Sequence, residues 1–135
     1  MAQLVPYLAF DGNAREAMTF YQECLGGELS IRTFGESPMA EQVPGEHRNR
    51  ILHAMLAAPG LTLMASDTMP GDSVPLGGPV TLALTSGDKE EIRGLFAKFA
   101  DNGTIGMPLD EAFFGLYGDL TDRFGIKWLF QAGQG

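Results

Sequence analysis

The sequence predicts an α+β fold made of two βαβββ units. Three observations predict it. Two amphipathic helical patterns occur, each entered through a short apolar run and a polar turn. Each pattern is followed by three strand-like runs. The last run of each half directly follows a glycine, Gly60 or Gly125.

The first half opens with Leu8, Ala9 and Phe10, then the turn residues Asp11, Gly12 and Asn13. Ala14, Ala17, Met18, Tyr21 and Leu25 then recur at i, i+3, i+4, i+7 and i+11, which is one face of a helix. Gly26 and Gly27 supply its stop. Strands are expected at 29–34, 51–56 and 61–66. The polar stretch 35–50 between two of them reads as a mobile surface loop.

The second half repeats the order. Leu82, Ala83 and Leu84 lead through Thr85, Ser86, Gly87 and Asp88 into a helix whose apolar face is Ile92, Leu95, Phe96, Phe99 and Ala100. Asn102 and Gly103 end it. Strands are expected near 104–107, at 112–117 and at 126–131. Both helix starts have capping-box spacing, Asn13 with Glu16 and Asp88 with Glu91.

The segment 69–79 holds Pro70, Gly71, Asp72, Pro75, Gly77 and Gly78 and reads as the connection between unit one, about 1–68, and unit two, about 80–135. Either half alone has too little core to stand by itself, so residues 1–135 are expected to form one domain.

Composition narrows the function. The chain is 44% hydrophobic with a net charge of −8, so it is globular and repels phosphate backbones. Neither a nucleic-acid partner nor a membrane is expected. The single cysteine, Cys24, lies in the first helix pattern and reads as a packed apolar group in a reducing compartment. The first residues lack the basic region of a signal peptide, and a cytoplasmic location is expected. A Gly-x-Gly-x-x-Gly loop and a phosphate loop are both absent, and no cofactor is expected.

Particular residues then carry a resemblance. They are the run Tyr7 to Ala14, the pair Phe20 and Tyr21, His53 with Ala54, the run Met64 to Asp67, and the run Asp122 to Trp128. In this order they resemble the vicinal oxygen chelate superfamily of glyoxalases, bleomycin-resistance proteins and dioxygenases, and most closely its PhnB-like branch. That branch also carries a ubiquinone-pathway methyltransferase label, which no glycine-rich loop in this chain supports. The resemblance implies curved mixed sheets with the helices outside, each sheet curling into a cup that holds a ligand. It also implies that metal-dependent members place one ligand on the first strand and one on the last strand of each unit.

Aligned on Phe20 and Tyr21, the first of those positions falls on Pro6. The others fall on Met64, on Val80 or Thr81, and on Leu129. None is a fit ligand for a divalent ion, which prefers imidazole, carboxylate or thiolate. No metal is therefore expected, and the cup is expected to have an apolar floor for a small apolar or aromatic molecule.

Other side chains have a second reading beside a structural one. His53 alternates with Ile51 and Met55 and is either a core histidine bonded to backbone or a pocket donor and candidate general base. His47, among charged residues, reads as surface. Ser66 shares a strand face with Met64 and is a candidate for lining the cup. Of Phe113 and Phe114, one faces the helices and the other the cup, and Phe114 is taken as a ligand-binding candidate. Trp128 and Tyr7 alternate with the cup positions and are expected in the core.

A small-molecule-binding protein or metal-independent enzyme is the function expected. One alternative is a metal-dependent lyase, isomerase or dioxygenase with ligands relocated to His53, Glu111 and Asp67. Another is an antibiotic-sequestering protein. An exposed apolar trough invites a second copy, so a homodimer is expected.

Overall fold

A computed structural model of the chain describes residues 2–69, 72 and 74–133. Two compact units, Met1–Val74 and Pro75–Gly135, meet within the expected connection. Pro70 and Gly71 of that connection lie outside the described residues.

The first unit runs β1 (Tyr7–Phe10), α1 (Ala14–Leu25), β2 (Glu28–Thr33), β3 (Ile51–Ala58) and β4 (Leu61–Asp67). Its sheet has the order β1-β4-β3-β2, with β1 parallel to β4 and the other pairs antiparallel. Helix α1 buries Ala14, Ala17, Met18, Tyr21 and Cys24, so the predicted stripe holds except at its end, where Cys24 is buried and Leu25 only half-buried. The sheet face with Ala54, Leu56, Leu63 and Ala65 is buried too. Alanines on helix and sheet let the two layers approach closely.

Gly26 and Gly27 end the helix at φ of 77° and 94°, where only glycine is unstrained. A Cβ on Gly27 would also run into the Ala57 carbonyl of β3.

The start of α1 differs from the expected capping box. Asn13 makes no side-chain cap bond. Asp67, at the far end of β4, supplies the cap. Its Oδ1 accepts from the N–H groups of Gly12 (2.9 Å) and Ala14 (3.0 Å), and its Oδ2 accepts from the Ile51 N–H (2.8 Å). A charged acceptor reaching the helix terminus displaces the weaker local amide.

The stretch 35–50 is also not an open loop. It forms 3-10 turns at Phe34–Glu36, Ala40–Gln42 and Gly45–His47, and Phe34 and Val43 are buried. Thr33 and Glu36 close a reciprocal capping box at its entry. Those hydrogen bonds from Thr33 hold the Glu36 carboxyl below the usual carboxylate range.

The second unit runs β5 (Leu82–Ser86), α2 (Lys89–Ala100), β6 (Thr104–Ile105), β7 (Asp110–Ala112), β8 (Gly115–Thr121) and β9 (Lys127–Ala132). Its sheet has the order β5-β9-β8-β6, and β7 pairs with β8 as well. As in the first unit, the outer first strand is parallel to the last. Asp88 caps α2 through the Glu90 and Glu91 N–H groups. The Glu91 carboxylate accepts from Ser86 Oγ instead of closing a box.

An aromatic cluster fills this core. Phe99 packs on Trp128 and Phe130 at centroid distances of 4.8 and 5.5 Å, and Phe96 meets Phe130 edge-on at 5.2 Å. Trp128 is buried, as its alternation with Leu129 predicts, and its Nε1–H donates to Asp122 Oδ2 at 2.9 Å. The expected strand 112–117 is broken. Phe113 and Phe114 form the turn between β7 and β8, completed by Gly115 at φ 124°.

Candidate functional site

Each helix covers one face of its own sheet, and strand alternation assigns the side chains of the other face. In the first unit Ser30, Met55, Met64 and Tyr7 lie in one register row across the four strands. Arg32 stands opposite His53 in β2 and β3, and Ser66 stands beside Ala9 in β4 and β1. A groove of about 360 Å³ runs along Ser30, Ile31, Arg32, Leu52 and His53.

His53 is half-buried and stands 6.1 Å from Tyr7, ring centroid to ring centroid. Its side chain makes no hydrogen bond among the described residues, so the backbone-bonded core histidine is not what the fold contains. His53, Met64 and Ser66 all lie on this open face.

Two expected positions move. Tyr7 is not in the core: it is 54% exposed and in register with Met64. Pro6 precedes β1, and its carbonyl accepts the Met64 N–H at 3.0 Å, one residue out of the register row. A shift of one residue exchanges the two faces of a strand.

The second unit repeats this pattern with different chemistry. Leu129 lies between Ala83 of β5 and Asp119 of β8. Val80 is not its neighbour, since it precedes β5 and is 70% exposed. A groove of about 310 Å³ is lined by Thr81, Thr104, Tyr117, Asp119, Thr121 and Leu129, with Lys127 at its side. The expected apolar floor is therefore wrong for this unit.

Here the Tyr117 hydroxyl donates to Asp119 Oδ2 at 3.1 Å, and Asp119 Oδ1 accepts the Met107 N–H at 2.9 Å. Burial, and then the Asp119 carboxylate, push the Tyr117 phenol above its ordinary pKa, so it stays a neutral donor at pH 7. Tyr117, Asp119 and Thr121 are not among the candidates named from the sequence. The signal was present, because they alternate with the buried Leu116, Gly118 and Leu120. Phe114 sits in the turn, edge-on to Phe113 at 5.0 Å and to Tyr117 at 5.8 Å.

The relocated metal set does not assemble. Both oxygens of Asp67 are taken by backbone N–H groups on the helix side of the sheet. Glu111 pairs with Lys89 at 3.0 Å and with Arg93 at 3.6 Å. The positions in register on the first and last strands carry Tyr7, Met64, Ala83 and Leu129, which is not a donor set for a divalent ion. No group of three His, Cys, Asp or Glu suited to a metal occurs among the described residues.

Comparison with known proteins gives one family and a consistent fold. Residues 2–131 match the family described as 3-demethylubiquinone-9 3-methyltransferase. Protein YjdN of Escherichia coli K12 is 37% identical, over 93% of this chain and 92% of its own length. The crystal structure of protein PA1353 from Pseudomonas aeruginosa superposes with a TM-score of 0.89 at 36% identity, covering both chains fully. A PhnB protein from Bacillus cereus, described as a putative 3-demethylubiquinone-9 3-methyltransferase, has a TM-score of 0.79 at 26% identity, over 98% of this chain and all of its own. At 16% identity, a glyoxylase/bleomycin resistance protein/dioxygenase domain from Frankia shares the fold, with a TM-score of 0.70 over 98% of each chain.

Proposed function

Because the chain belongs to the PhnB-like family described as 3-demethylubiquinone-9 3-methyltransferase, with a glyoxalase/bleomycin-resistance fold, we propose that it binds a small molecule on its open sheet faces without a metal ion. The observation that carries this reading is the uncovered face of each sheet, where half-buried side chains line a groove and no helix of the same unit packs. In the first unit that face pairs the apolar Met55 and Met64 with His53, and the imidazole is the candidate general base if the bound molecule is turned over.

The methyl transfer in the family's description is not carried over. No glycine-rich loop of the sequence offers a cofactor site for it, and the helix starts are capped by the chain's own carboxylates. Asp67 occupies the N–H groups at one helix start and Asp88 those at the other.

Two measurements test the reading. Phenol and indole, as neutral aromatic probes, are expected to shift the amide resonances of Met55 and Met64 or of Tyr117 and Leu129. Shifts confined to other residues, or none, overturn it. Protein purified without chelator is expected to carry only traces of divalent metal, and a stoichiometric ion overturns the metal-free mechanism.

We also take the two units as one domain, because units of this size are marginal alone. A homodimer is the assembly we propose. Phe113 is fully exposed, and Leu76, Val80 and Met107 of the same unit are exposed as well. Light scattering at micromolar concentration is expected to give twice the chain mass, and the mass of a single chain would refute it.

A further inference from the structure

The open face of the first unit has a polarity unlike that of the chain as a whole. The protein carries 17 acidic and 9 basic residues. Yet the open positions of β1, β3 and β4 are Tyr7 and Ala9, then His53, Met55 and Ala57, then Thr62, Met64 and Ser66, with no carboxylate. The only acid at an open position of β2 is Glu28, at the far end opposite Ala57. Arg32, directly across from His53, makes no hydrogen bond or ion pair among the described residues. Glu36 lies within electrostatic reach of Arg32, but its Oε1 already accepts from the Thr33 N–H and hydroxyl.

We infer that this face binds a small organic carboxylate with an apolar body, the carboxylate held by Arg32 and His53 and the body lying over Met55 and Met64. The inference rests on the binding reading above and adds the chemical class of the ligand. A guanidinium offers a planar pair of N–H donors that match a carboxylate, and an imidazole N–H adds one more donor. The row holding Met55 and Met64 lies two residues along the strands from Arg32 and His53, about 7 Å away. That spacing suits a single ring bearing its acid on one side. The hydroxyls of Ser30 and Ser66 on the same face make no hydrogen bond among the described residues. One cation also favours a singly charged acid over a dianion, whose second charge would be uncompensated.

The test uses the full chain and three probes followed by amide chemical shifts. These are benzoate, its uncharged isostere benzamide, and acetate, which has the charge without the ring. Benzoate is expected to shift Arg32, His53, Met55 and Met64, with benzamide and acetate each about tenfold weaker. Arg32→Gln, an exposed change on the edge strand β2, is expected to bring benzoate down to the benzamide level, and Arg32→Lys is expected to fall between. If benzamide matches benzoate on this face, the acid preference is overturned while the binding reading stands. Acetate matching benzoate removes the apolar body from the proposal. Should none of the three, nor phenol or indole, shift the open face of either unit, both readings fall together.

Discussion

Asp67→Ala is expected to lower the stability of the protein by about 3–6 kcal/mol, the larger of two losses that the structure foretells. Asp67 is 5% exposed and accepts from the N–H groups of Gly12, Ala14 and Ile51. These donors come from the turn before α1, the first residue of α1 and the first residue of β3. One carboxylate at the end of β4 therefore ties two distant segments to it, the start of α1 and the start of β3. Alanine leaves all three without their acceptor, at about 1–3 kcal/mol each for the buried Ala14 and Ile51 N–H groups and less for the part-buried Gly12 N–H. A domain whose whole stability is about 5–15 kcal/mol would lose a large share of it. Asp67→Asn should be milder. Its carbonyl can still serve Gly12 and Ala14, but its NH₂ group would face the Ile51 N–H. Urea unfolding followed by circular dichroism checks both. A midpoint for Asp67→Ala within error of the parent would contradict the clamp.

Trp128→Ala should cost about 3–5 kcal/mol, the usual range for removing a large buried aromatic side chain. The indole is buried against Phe99 at 4.8 Å and donates to Asp122 Oδ2. Asp122 also accepts from the Phe124 and Ile126 N–H groups, shaping the tight turn from β8 into β9. The substitution thus opens a cavity and takes a donor from a carboxylate that organises the turn. Trp128→Phe keeps a ring beside Phe99 but loses the N–H, and about 1–3 kcal/mol is expected. Trp128 is the only tryptophan, so the variants are followed by circular dichroism and not by fluorescence. Equal losses for Phe and Ala would show that the hydrogen bond matters and the packing does not.

Features written in near neighbours were readable from the chain. The stripe Ala14, Ala17, Met18 and Tyr21 became the buried face of α1, and the glycines after it became its left-handed stop. Alternation with Leu129 places Trp128 in the core, and it is buried there. Helix periodicity and glycine conformations depend on residues a few positions apart, so a single sequence displays them. The split of 112–117 into β7, a turn and β8 was missed. Its apolar residues suit a strand, and only pairing back onto β8 bends the chain at Phe113 and Phe114.

The candidate site was legible in outline and wrong in detail. Register puts Met64, Ser66 and Leu129 on open faces, whereas Pro6, Tyr7 and Val80 lie away from the positions expected for them. The polar second face, with Tyr117 and Asp119, was overlooked.

Composition and local pattern were sufficient for the α+β class and for two units that each run strand, helix and further strands. They could not say which residue of β1 meets Met64, or that the acceptor capping α1 comes from a position 53 residues away. Strand register and distant acceptors are chosen by hydrogen bonds between segments, and those energies exist only once the sheet has formed. Because a single-residue slip turns every side chain to the opposite face, the chemistry of the groove followed from pairing and not from spacing along the chain.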